Sequence, residues 1–100
     1  MLTINKTTEG EKVTFRLDGR LDIGAASQLE TELKRALEHT TELVFDLEKL
    51  DYISSAGLRV LLLAQKQMNK QGRMRLIHVC ENVMETLEIT GFVDIFFIAD

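Results

Sequence analysis

Apolar residues in this chain recur at every second position in some stretches and at every third or fourth in others, and the two spacings alternate along its length. That alternation is the strongest constraint on its fold. Leu2 and Ile4 alternate with polar residues, as do Val13, Phe15 and Leu17 with Thr14 and Arg16. A period of two marks strands with one face in a core. Residues 7–11, with Gly10 among them, read as a turn that closes these strands into an antiparallel hairpin. The period then lengthens. Ala26, Leu29, Leu33, Ala36 and Leu37 form one stripe of a helix over about residues 25–39. Leu43, Val44, Phe45 and Leu47, flanked by acids, predict a buried strand. Residues 55–71 form a second helix stopped by Gly72, and residues 74–79 a fourth strand. A third helix begins at Asn82, where Glu85 three residues on suggests a capping box, and ends at Gly91. Residues 93–98 read as a last edge strand.

The predicted order is β-β-α-β-α-β-α-β, an α/β chain. Right-handed strand–helix–strand crossovers give a mixed, mostly parallel sheet with the first strand antiparallel and helices packed against it. A length of 100 residues suits one domain spanning residues 1–100. Sites in open α/β sheets form at the carboxyl ends of the parallel strands. Three predicted loops reach that edge, at residues 18–24, 48–54 and 80–81.

Charge narrows the function classes. A net charge of −4 disfavours a nucleic-acid footprint, which needs a clustered basic face, and disfavours docking on anionic lipid. Cys80 is the only cysteine, so no internal disulfide forms, and a lone thiol suits a reducing cytosol. No apolar run approaches the roughly 18 residues of a membrane span, and the first residues lack the pattern of a signal peptide. The expected location is the cytoplasm, with no membrane insertion.

The densest signal is the segment Asp51-Tyr52-Ile53-Ser54-Ser55-Ala56-Gly57-Leu58-Arg59-Val60. Two serines stand where a loop becomes a helix. A serine there caps the helix by accepting a first-turn N–H, contributing about 1 kcal/mol. The same helix end, with unpaired N–H groups and a positive dipole, tolerates an anion. A phosphate on such a serine adds about −1.5 to −2 charges to an exposed rim. The fold would survive this, and an interface built around the neutral loop would not. Ala56 and Gly57 are small enough for another backbone to approach, although Gly57 equally suits close packing on a neighbouring strand. The helix that follows is apolar on several sides (Leu58, Val60, Leu61, Leu62, Leu63, Ala64). That suits a central core helix or a greasy patch beside the serines.

Ile53-Ser54-Ser55-Ala56-Gly57-Leu58, after a buried strand and opening a Leu-rich helix, resembles the signature of STAS domains, the anti-sigma-factor antagonist family. Leu17-Asp18-Gly19-Arg20-Leu21-Asp22 is similar to the family's turn after its second strand. Ile89-Thr90-Gly91-Phe92 with Ile95-Phe96 is similar to its closing helix-to-strand segment. The resemblance covers nearly the whole chain and implies a protein-binding switch. Such proteins bind an anti-sigma factor that is also a histidine-kinase-like serine kinase, and binding frees the sigma factor. The kinase phosphorylates the loop serine and so expels its antagonist, and a PP2C-type phosphatase restores binding. ATP and metals belong to those partners, and no cofactor is implied for this chain. The family acceptor lies two positions before the loop glycine, so Gly57 points to Ser55, with Ser54 as the alternative. Ser54 stands where many relatives have Asp, and Ala56 where Ser or Thr is common. The implied partner-binding residues are Asp22, Ser54, Ser55, Ala56, Gly57 and Leu58. Asp22 equally suits a local turn or cap. A monomer that forms a hetero-complex is expected.

No enzyme is expected. Ser55 lacks the glycine two positions earlier that a nucleophile elbow has, and neither histidine pairs visibly with it. His39 lies at a helix end, where a cation favours the dipole. His78 and Cys80 are two apart and in a strand would face the same way, but two ligands fall short of the three or four of a zinc site. No Gly-rich Lys-Ser/Thr phosphate loop is present. The competing reading is a non-switching STAS subunit that braces a transporter or ATPase complex.

Overall fold

A computed structural model describes residues 2–99. Its elements follow the expected order: β1 (Leu2–Glu9), β2 (Lys12–Leu21), α1 (Ile23–Ala36), β3 (Glu42–Ile53), α2 (Ser55–Gln71), β4 (Arg73–Ile77), α3 (Glu81–Thr90) and β5 (Ile98–Ala99). The strands lie side by side in chain order. β1 is antiparallel to β2, and every later pairing is parallel. Crossovers that are all right-handed and advance in one direction put the helices on one face of the sheet.

The core lies between that face and the helices. Phe15, Leu17, Leu43, Phe45, Leu47 and Leu76 are fully buried there with Leu29, Leu61 and Leu87 of the helices. Phe15 and Phe45 are register partners, and their rings stack at 5.7 Å. Each such side chain contributes about 1.5–3 kcal/mol by leaving water. Val44 is buried yet stands apart from this cluster. It belongs to the opposite sheet face, where its register neighbours Thr14 and Arg75 cover it. The continuous apolar run of β3 therefore marks a central strand, with helices over one face and polar side chains over the other.

Several boundaries differ from the sequence reading, among them β4, which spans Arg73–Ile77 in place of the expected 74–79. Residues 18–21 and 48–53, expected as loops, continue β2 and β3, and two register shifts between Arg16 and Arg20 let them stay paired. Only β2 accompanies β3 along this extension, because the β3–β4 pairing stops at Asp46 and Ile77. α1 begins two residues early and tightens into a 3-10 turn over Leu37–His39. α3 begins at Glu81 with Cys80 at its N-cap and no side-chain cap. The capping box of Asn82 and Glu85 does not form, since Asn82 is already inside the helix and its carbonyl accepts from the Thr86 hydroxyl. The edge strand expected over 93–98 shrinks to Ile98–Ala99. Gly91 reverses the chain at φ 80°, Phe92–Asp94 coil into a 3-10 turn, and Phe96 drops into the core edge-on to Phe92.

Gly72 ends α2 as expected, but for a different reason. Its φ is 174°, which is extended backbone, so left-handed geometry is not what selects glycine. A Cβ there would run into the carbonyl of Thr41.

Candidate functional site

The extended ends of β2 and β3 bring Leu21 beside Ile53, and from there the chain turns into α2. Ser54 fixes that turn. Its backbone N–H and its hydroxyl both donate to the Leu21 carbonyl at 2.9 Å, and its hydroxyl oxygen accepts the Gly57 N–H at 3.1 Å. Ser54 is 8% exposed. It is at once the N-cap of α2 and a latch between α2 and β2.

Ser55, the first residue of α2, is exposed. No hydrogen bond holds its hydroxyl among the described residues. Beneath it, Gly57 packs on Leu21, and a Cβ would come within 2.7 Å of Leu21 Cγ. Gly57 and Leu58, expected at a partner surface with Ser54, are buried. All three shape the rim from below. Capping by Ser54 leaves the N–H groups of Ser55 and Ala56 without an intrahelical acceptor.

Asp22 caps α1, its Oδ1 accepting the Ala25 N–H at 2.9 Å. It also lines one shallow depression of about 430 Å³ together with Arg20, Ile23, Tyr52, Ser54 and Ser55. The local-cap role and the place beside the serines thus coincide. Arg20 lies over the Tyr52 ring, its guanidinium carbon 4.2 Å from the centroid. Ile23 is 74% exposed. The sequence reading did not single out Arg20, Tyr52 and Ile23 in this depression, nor Arg59, which lines an adjoining one with Ile23, Ser55 and Ala56. Ile23 carried a usable signal: it is apolar at the first position of a helix, directly after a capping Asp, off the face that faces the core.

A second polar cluster occupies the open face of the sheet. Asp46 is buried, and its Oδ1 accepts the Glu48 N–H at 3.1 Å and lies 3.0 Å from His78 Nδ1. Its Oδ2 is 3.6 Å from Arg16 Nε. Asp46, Glu48 and His78 offer ligand-type atoms within 4.8 Å of one another. Both Asp46 oxygens are already engaged, so the geometry is that of an ion-pair network. His78 holds this position at φ 56°, the one positive φ of a non-glycine residue among those described. It does not share a direction with Cys80, whose thiol donates to the Leu50 carbonyl at 3.1 Å.

The hydrogen bond to Asp46 raises the His78 pKa above its usual 6.5, with burial and Arg16 opposing and the charges of Asp46 and Glu48 assisting. Burial alone would raise Asp46. The His78 and Glu48 hydrogen bonds and the charges of His78 and Arg16 outweigh it and bring Asp46 below its usual 3.8. The His78 contribution is complete below pH 6.5 and fades as pH rises through its raised folded value. The Asp46 contribution is complete above pH 3.8 and fades as pH falls through its lowered one. The stability gap between wild type and His78→Gln in urea melts is therefore expected to be widest between those limits and to close on the alkaline side. A gap that is flat from about pH 5 to 9 would remove His78 from the network.

The chain is similar to known proteins over nearly its full length. The family model described as the STAS domain matches residues 3–100. BtrV of Bordetella bronchiseptica, which carries the name of an anti-sigma factor antagonist, is 44% identical over 86 residues, covering 84% of this chain and 74% of that protein. An anti-sigma factor antagonist from Mycobacterium paratuberculosis superposes with a TM-score of 0.88 at 18% identity, covering 98% of this chain and 85% of that one. The Bacillus cell fate determinant SpoIIAA, solved in its phosphorylated form, superposes with a TM-score of 0.75 at 20% identity, covering 100% and 92%. These structures share the α/β fold. No helix among the described residues is long and apolar enough to cross a membrane.

Proposed function

The chain belongs to the STAS domain family, and from that membership we propose that it is an anti-sigma factor antagonist switched by phosphorylation of Ser55. Unphosphorylated, it binds an anti-sigma factor with a histidine-kinase-like serine kinase fold. Phosphorylated, it is released, and a PP2C-type phosphatase resets it. The chain itself catalyses nothing and acts in the cytoplasm, where its kinase finds ATP. The name of BtrV supports the antagonist role.

One observation carries the choice of residue. Of the two adjacent serines, Ser54 has its hydroxyl committed in both directions and buried, and Ser55 has a free hydroxyl on the rim. Phosphate on Ser54 would displace the cap and the Leu21 latch. Phosphate on Ser55 adds about −1.5 to −2 charges without breaking a bond. Asp22 and Ala56 are the further contacts proposed for the partner, with Ile23 and Tyr52 beside them.

The test is peptide mapping of the protein from its native cells, paired with partner binding. Phosphate is expected on Ser55. Ser55→Ala should carry none and still bind, and Ser55→Asp should weaken binding yet mimic the released state only in part, since one carboxylate has less charge than a phosphate. Phosphate on Ser54 would move the switch by one residue. No phosphate under any condition, with copurification of a transporter ATPase, would make the chain a non-switching subunit.

A further inference from the structure

We infer that Arg59 is the counter-ion of phosphorylated Ser55, a positioning residue that draws the phosphate along the helix and leaves the docking rim as it does so. The inference rests on Ser55 being the modified residue. Ser55 and Arg59 both lie in α2, four residues apart, which puts their side chains on one helix face about 5–6 Å apart at Cβ. With Ile23 and Ala56 they line a single open depression. Ala56, between them in sequence, is only a methyl group and does not fill it.

Arg59 is exposed and has no carboxylate partner among the described residues. The other arginine of this rim, Arg20, is already spent over the Tyr52 ring. The helix gives Arg59 no role of its own, because a cation near an N-terminal end does not complement the dipole. A guanidinium fork binds phosphate through two parallel N–H donors. Once the phosphate is present, Arg59 is the cation within reach from the same helix. Phosphorylation then changes the rim twice, adding a dianion and withdrawing the guanidinium that the unmodified surface offers to a partner.

The experiment uses full-length protein with phosphoserine encoded at position 55, so that no kinase is needed. The second ionisation of the phosphate is followed by phosphorus NMR against pH. A free phosphoserine titrates near pH 6. With Arg59 present the midpoint is expected to be lower. Arg59→Gln should raise it by on the order of half a pH unit, and Arg59→Lys should recover part of the shift. High salt should shrink the difference, as for any exposed pair. Identical titration curves for phosphorylated wild type and Arg59→Gln overturn the inference, whatever peptide mapping finds in cells. Absence of phosphate from Ser55 in cells, with the shift present, overturns the switch alone.

Discussion

Gly57→Val is expected to destabilise the protein by about 3 kcal/mol, the upper part of the range for overpacking a close-packed site. The new side chain would start 2.7 Å from Leu21 Cγ and 3.0 Å from the Leu21 carbonyl oxygen. Leu21 is fully buried and has nowhere to go. α2 must lift instead, which stretches both Ser54 bonds to that carbonyl. Gly57→Ala separates the two opposing effects. Alanine gains up to about 1 kcal/mol of helix propensity, so its net cost should be about 1 kcal/mol. Valine gains less and adds bulk. Urea denaturation of the three proteins checks the order. Equal stability of Gly57→Val and wild type would mean that contact with Leu21 is not why glycine stands there.

The second large effect is expected at Gly72, although this residue is exposed. Its Cβ would strike the Thr41 carbonyl, which accepts the Arg73 N–H at 3.0 Å where β3 and β4 begin to pair. Gly72→Ala should cost about 3 kcal/mol, a fall in Tm of roughly 15 °C for a chain of this size. Asparagine makes the test specific. At a left-handed helix end it is the usual substitute for glycine. Here it carries the same offending Cβ and should be no better than alanine. A Gly72→Asn protein with wild-type Tm would restore the left-handed stop as the explanation.

Gly72 shows how a sequence can identify a residue correctly and its reason wrongly. Helix termination reads from local chemistry, and the proximity of Thr41, thirty-one positions earlier, does not. The same limit explains the other differences. The periodic stretches around Phe15, Phe45 and Leu61 are legible because each repeats a spacing that one core imposes. The extensions of β2 and β3 are not, because register shifts between Arg16 and Arg20 break the period while keeping the pairing. Phe92 and Phe96 look like strand residues by type, but they turn inward from a coiled segment. At the rim, adjacent Ser54 and Ser55 are chemically identical in one dimension. In the fold, the Leu21 carbonyl and the Gly57 N–H engage one of them and leave the other free. The Asp46–His78 pair joins residues 32 apart in the chain, and nothing local announces it.

Past Asp46, β3 has β2 for company and no longer β4. The ribbon they form is a bracket fixed at its base, steadied on the side that β4 leaves by the Cys80 thiol at the Leu50 carbonyl, with the rim at its tip. Loads applied at the tip fall mainly on two strands. Over evolutionary time the same layout separates two kinds of change. On the proposed function, substitutions at Arg20, Ile23 or Tyr52 would alter what the tip can grip, while Phe15, Phe45 and Leu76 continue to hold the sheet to its helices. On that same proposal, a lineage built on this bracket could exchange one partner for another and keep its architecture throughout.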